Sequence, residues 1–123
     1  MPDRDKVSSQ EWLYRRGYSL PEKKYMNPDG SATSRVFKLK EKDNGELSVD
    51  IKSMTTPEKA VGDTNRFFLF ELHNQEVENL KLQTWHDPLS NGSNDAHAVI
   101  IGMTMDDDIQ PGLLARKSKR VYL

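Results

Sequence analysis

His97 and Asp95 are the pair best spaced for chemistry in this chain. They stand two residues apart at the start of the apolar run AHAVIIGM, so on a strand they would share a face. They also lie where a polar loop, SNGSND, enters the sheet, and such junctions often carry function. An aspartate beside a histidine can orient the imidazole for general-base work or ligand binding. The plainer role is that Asp95 caps the loop while His97 bonds to backbone. Arg15 and Arg16, inside WLYRRGY, come next. One of two neighbouring strand residues points inward, and an arginine in a cleft is a clamp for phosphate or carboxylate. Ser34, just before the apolar residues Val36 and Phe37, can join the same cleft. The candidate site residues are thus His97, Asp95, Arg15 and Ser34, and an enzymatic reading requires Arg15, Ser34 and His97 to share one pocket.

Other polar clusters have structural explanations. His86 and Asp87 are strand neighbours and point to opposite faces, which disfavours a direct pair. His73 precedes a helix cap. The three histidines show no HxH or HExxH spacing, so no zinc site is expected, nor any cofactor. Asp106 to Asp108 and the basic Arg116, Lys117, Lys119 and Arg120 fall at the two ends of an expected last helix. Acid first and base last complements the helix dipole by about 0.3–1 kcal/mol per well-placed charge. The aspartates lack the spacing and glycine of a calcium loop. The seven glycines are scattered singly, so no phosphate-cradling loop is present, and there is no GxSxG elbow.

Composition narrows the classes. The 18 basic and 19 acidic residues leave a net charge of −1, which sets up no global attraction for nucleic acid or an anionic membrane. Hydrophobic content is 35 % and mean hydropathy is −0.80, so the core must be small. Cysteine is absent, which removes disulfides and thiol chemistry and fits a cytoplasmic protein. The opening MPDRDKVSSQ is too polar for a signal peptide, and no apolar run has membrane-spanning length.

The elements that must position these residues follow from periodicity. Residues 1–10 read as a flexible arm and 11–123 as a single α+β domain. Trp12 to Tyr18 reads as a strand broken by Gly17. Phe37 and Leu39 alternate with lysines, and Leu47, Val49 and Ile51 alternate with Ser48 and Asp50. With Asp43-Asn44-Gly45 as a three-residue turn and Gly45 left-handed, this predicts a β-hairpin over about 36–51 that sets Leu39 opposite Val49. Thr56-Pro57 reads as a helix cap and first helical residue, with Gly62 ending the helix. RFFLFEL, over Arg66 to Leu72, is apolar on both faces and reads as a central strand. A short helix from Asn74, strands over 81–85 and 96–103, and a last helix complete a mostly antiparallel sheet with two or three short helices.

Several of these residues form a recognisable set: Leu13-Tyr14-Arg15, Ser34 with Phe37, Leu47-Ser48-Val49-Asp50, Thr56-Pro57-Glu58, Asp87-Pro88, and Asn94 to Ile100. The order resembles a group of small uncharacterised bacterial proteins with an LYR start, an LSVD strand and a late NPAHA-like segment. Asp95 stands where that segment has proline. The resemblance implies a bacterial or phage origin, carries no activity, and adds weight to Arg15 and His97.

The leading expectation is a non-catalytic accessory, regulatory or immunity-type module that binds another protein through the hairpin edge. The alternative is a small enzyme or nucleotide-binding domain, ADP-ribosyltransferase-like at most, with an Arg/Ser/His cleft. A second alternative is weak nucleic-acid binding through the basic C-terminal end.

Overall fold

A computed structural model describes residues 4–89 and 92–123. Six strands form one antiparallel sheet: β1 (Trp12–Tyr18), β2 (Glu46–Ile51), β3 (Phe67–His73), β4 (Gln83–His86), β5 (His97–Ile101) and β6 (Lys119–Val121). Their order across the sheet is β4-β5-β2-β1-β3-β6. Three short helices complete an α+β fold: α1 (Pro57–Val61), α2 (Asn74–Asn79) and α3 (Ile109–Lys117).

The strands read as expected where both faces are buried. On the inner face Leu13, Leu47, Val49, Ile51, Phe70, Leu72, Ala98 and Ile100 join Val77 of α2 and Leu114 of α3 in the main core. On the outer face α1 lies over Tyr14 and Leu69, with Ala60 and Val61 buried between. This accounts for the two-sided apolarity of RFFLFEL: β3 lies between β1 and β6 and is covered on both sides. The α1 cap is as expected, with Thr56 Oγ1 accepting from the Lys59 amide and Gly62 closing the helix at φ 71°. Gly17 does not break β1. It pairs with Phe68, and a Cβ there would stand 3.0 Å from the Tyr25 ring, so the glycine permits a close approach.

The expected hairpin over 36–51 is not formed. Only Glu46–Ile51 is a strand, and its partners are β1 and β5. Residues 34–37 and 41–43 form 3₁₀ turns instead. Two interactions explain the difference. The Asp43 carboxylate accepts from the Lys40 amide at 2.8 Å and curls the chain before it can extend. β5 also offers β2 a better face than residues 37–42 do, pairing Leu47 with Ile100 and Val49 with Ala98. Phe37 and Leu39 are still buried, but beneath the sheet in the main core. Gly45 is left-handed as expected, at φ 79°, and so is Asn44, at φ 52°. The cross-strand pairs expected for the hairpin lysines are replaced as well: Lys38 reaches Asp108, and Glu46 is held by Arg4.

The expected arm needs a similar correction. Residues 1–3 lie outside the described residues, but residues 4–10 are docked. Val7 is buried and its amide donates to Thr84 O at 2.8 Å, while the His86 amide donates to Asp5 O at 2.7 Å. This covers the outer edge of β4. Arg4 grips Glu46 with both terminal nitrogens, at 2.8 and 3.2 Å. That hydrogen bond holds the Glu46 carboxyl below its ordinary pKa of 4.5. A carboxylate with a lowered folded pKa contributes stability above its unfolded value and loses it as pH falls through the folded value. Glu46→Gln should therefore flatten part of the acid limb of a urea-midpoint curve taken from about pH 6 to about pH 3. Both side chains are partly exposed, so the difference should stay below about 1 kcal/mol.

Candidate functional site

β1 and β2 pair only at Leu13 with Ile51 and Tyr14 with Asp50. Beyond that point β1 follows β3 as far as Tyr18 while β2 follows β5 as far as Glu46, so a wedge opens between them. Arg15 fills its apex. Its Nε donates to Val36 O and its Nη1 to Ser48 O, both at 2.8 Å. The guanidinium thus replaces missing rungs of the ladder. Burial lowers its pKa from the ordinary arginine value, and the charge of Asp43 opposes that shift.

Two cavities of about 340 and about 210 Å³ open from this wedge, and both are lined by Arg15, Arg16 and Ser48. Strand register explains the larger one. Tyr14, Arg16, Ser48, Asp50 and His97 fall on the outer face because Tyr14 pairs with Asp50, Asp50 with His97, and alternate residues share a face. α1 brings Lys59 to the rim, and the loop before β5 brings Asn94. Arg16 lies 4.2 Å over the Phe67 ring, which fixes its direction. The smaller cavity adds Lys40, Lys42 and Asp43, with the Lys40 ammonium 5.4 Å from the centres of both the Tyr18 and Tyr25 rings. Among the described residues lining the two cavities, Arg15, Arg16, Lys40, Lys42 and Lys59 are thus opposed by Asp43 and Asp50 alone. Both carboxylates are already engaged: Asn94 Nδ2 donates to Asp50 Oδ1, and the Lys40 amide to Asp43 Oδ2, each at 2.8 Å.

His97 connects this cleft to β4. Its Nδ1 lies 2.8 Å from Asp87 O, and a carbonyl only accepts, so the proton is on Nδ1. Nε2 is then the acceptor, and Ser48 Oγ lies 3.2 Å away. The Asp87 carboxylate is 3.5 Å from Nδ1 and 3.4 Å from Arg4 Nε.

Of the four candidate residues, Arg15 and His97 share this cleft. Ser34 does not, which corrects the expected Arg/Ser/His cluster: it starts the 3₁₀ turn that packs on α3, its Cβ 4.0 Å from where a Gly112 side chain would begin. Asp95 is exposed in a turn, and its backbone oxygen accepts from His86 Nε2 at 2.7 Å. The carboxylate beside His97 is that of Asp87, ten residues earlier. Sequence reasoning did not single out Ser48, Asp50, Lys59 or Asn94 as site residues. The alternation of LSVD put Ser48 and Asp50 on the wet face, but their proximity to His97 depends on β2 pairing with β5.

The remaining clusters are structural. His73 stacks on Trp12 at 4.7 Å. Asp107 Oδ1 accepts from the first two amides of α3, at 2.9 and 3.1 Å. The basic C-terminal residues are dispersed: Lys117 approaches Glu76 at 3.8 Å, Lys119 pairs with Glu71 in the ladder, and Arg120 lies 4.2 Å over the Phe68 ring. Among the described residues no group of three His, Asp or Glu side chains is placed to hold a metal ion, and no helix is long and apolar enough to cross a membrane. No family model matches the chain, and neither a curated protein nor a solved structure matches it.

Proposed function

We propose that the protein binds a small anionic molecule, one bearing a phosphate or carboxylate group, in the cleft between β1 and β2. One observation carries this reading: Arg15, Arg16 and Lys59 converge on a cavity of about 340 Å³ that also presents Tyr14, Ser48 and Asn94, with Asp50 the single carboxylate among its described lining residues. The volume is at the lower end of the range for ligand pockets, which favours a small metabolite over a dinucleotide. The roles divide. Arg15 is committed to backbone and holds the wedge open, whereas Arg16 is exposed and Lys59 stands on the rim, so these two make the variable contact with the anion. In calorimetric titrations with inorganic phosphate, pyrophosphate and citrate, at least one should bind the wild type. Arg16→Met or Lys59→Met should weaken it by about 10–100-fold, the worth of a hydrogen bond to a charged group. Binding that both substitutions leave unchanged would exclude the cleft.

A protein-binding role is the second reading. With the hairpin absent and residues 5–7 along β4, it passes from a strand edge to the groove between α2 and α3. Leu80, Leu113 and Leu114 line that groove, Glu76, Arg116 and Lys117 edge it, and Ile109, four residues before Leu113 in α3, is exposed. An apolar floor with charged rims fits an amphipathic helix of a partner. Selection of a helical peptide library on the immobilised protein should return binders lost in Leu113→Asp; binders indifferent to that change would refute it. A cytoplasmic location and a bacterial or phage origin belong to these readings too, supported by the absence of cysteine and by the LYR, LSVD and late Asn94–Ile100 segments.

A further inference from the structure

We propose that Ser48 is a nucleophile that cleaves small esters bearing a negative charge, with His97 as its base and Asp87 as the positioning residue. The charge preference rests on the anion-binding reading of the cleft; the nucleophile itself does not.

The geometry supplies each part. Ser48 is exposed at the junction of the two cavities, so its oxygen can meet a ligand. Its Oγ lies 3.2 Å from His97 Nε2, within reach for proton transfer as a bound ester tightens the contact. The backbone oxygen of Asp87, 2.8 Å from Nδ1, fixes the tautomer in which Nε2 carries the lone pair. The Asp87 carboxylate, 3.5 Å from Nδ1, faces the ring when it becomes an imidazolium. Strand pairing locks the relay from both sides, since Asp50 of β2 pairs with His97 of β5 and the Asp87 amide donates to His97 O at 2.9 Å. A nucleophile, a base and an orienting carboxylate thus come from three separate segments, at one end of a cleft lined by cations.

The step balances without an external oxidant or cofactor. Ser48 Oγ bonds to the ester carbonyl carbon as its proton passes to His97 Nε2. The carbonyl oxygen becomes an oxyanion beside the Arg15 and Arg16 guanidinium groups, a fixed positive field of the kind that stabilises developing charge. The carbon–alkoxy bond then breaks, and the alkoxide leaves as an alcohol with the proton from Nε2. Water then adds to the acyl carbon as its proton passes to Nε2, the carbon–Oγ bond breaks, Oγ takes that proton back, and a carboxylic acid and free Ser48 result.

A neutral fluorophosphonate probe tests the nucleophile separately from the cleft's charge: Oγ bonds to phosphorus, fluoride leaves, and the protein gains one adduct. Intact mass and peptide mapping should place that adduct on Ser48 of the wild type. Ser48→Ala should abolish it, and His97→Gln should slow it by at least about 100-fold, in the range removed with a general base. Asp87→Asn should slow it and displace the pH–rate profile, which loss of packing alone would not do. Arg16→Met should lower hydrolysis of a succinyl p-nitrophenyl ester by about 10-fold relative to that of the acetyl ester. No adduct on wild-type Ser48, with phosphate still bound in the cleft, would overturn the nucleophile and leave the binding reading standing. Labelling without anion binding would do the reverse. An adduct only on a tyrosine or lysine would also overturn it.

Discussion

Asn74→Ala should destabilise the protein by about 3 kcal/mol, because it strands three polar groups at once. Asn74 is fully buried at the start of α2. Its Nδ2 donates to Val7 O at 3.1 Å and Ser8 O at 3.0 Å, and its Oδ1 accepts from Thr84 Oγ1 at 2.6 Å. Each buried group left without a partner costs about 1–3 kcal/mol, and the less buried Ser8 carbonyl belongs at the low end. The variant should also loosen residues 4–10 before the rest of the sheet, since this amide holds the Val7 and Ser8 carbonyls of the arm. Hydrogen exchange checks that separately: the His86 amide, which donates to Asp5 O, should lose protection in the variant while the Ile51 amide, bonded to Ala96 O, keeps it. Exposure of the β4 edge should then raise the tendency to associate. Equal loss of protection at both amides would mean that the arm is no separate unit.

Phe37→Ala should cost about 3–5 kcal/mol, the range for removing a fully buried phenylalanine. Phe37 has no exposed surface and sits in the main core at the end of the 34–37 turn, which packs on α3. A loss of that size lowers the melting temperature by roughly 10–20 °C in a domain of this length. It also approaches the whole stability of many small domains, so Phe37→Leu provides a milder companion. The more informative contrast is at Asp43. In the hairpin reading its carboxylate would only decorate a turn, but here it accepts from the Lys40 amide and holds the second 3₁₀ turn. Denaturation curves should place Asp43→Ala about 1 kcal/mol below the wild type, as for loss of a side-chain cap.

The elements differ in how plainly the sequence shows them, for a physical reason. Arg66 to Leu72 and Ala96 to Met103 declared themselves because each is apolar over enough residues to need cover on both sides, whereas Trp12 to Tyr18, with Arg15, Arg16 and Gly17 inside it, read as a strand broken at the glycine. Thr56-Pro57 and Gly62 declared α1 through cap chemistry that is local by nature. Residues 36–51 also carry a clean alternation, but alternation fixes which side chains are buried and not what buries them. Phe37 and Leu39 meet the same burial demand from a 3₁₀ segment, and β2 takes a partner fifty residues further on. The site was obscured by the same step. Arg15 and His97 stood out as residue types, but the residue that meets His97 is Ser48, through a pairing between strands distant in sequence, and the carboxylate that faces it is Asp87 and not its near neighbour Asp95.

If the wedge between β1 and β2 is an anion site, side-chain and amide NMR shifts during a pyrophosphate titration will map onto it. Saturable shifts are expected at the Arg16 Nε–H, the Asn94 side-chain amide and the backbone amides of Ser48, Asp50, Lys59 and His97, and in Arg16→Met, which lacks the first of these groups, the others should all shrink together. Shifts spread over the basic residues of α3 and β6, or no saturation at any of the cleft positions, would contradict it.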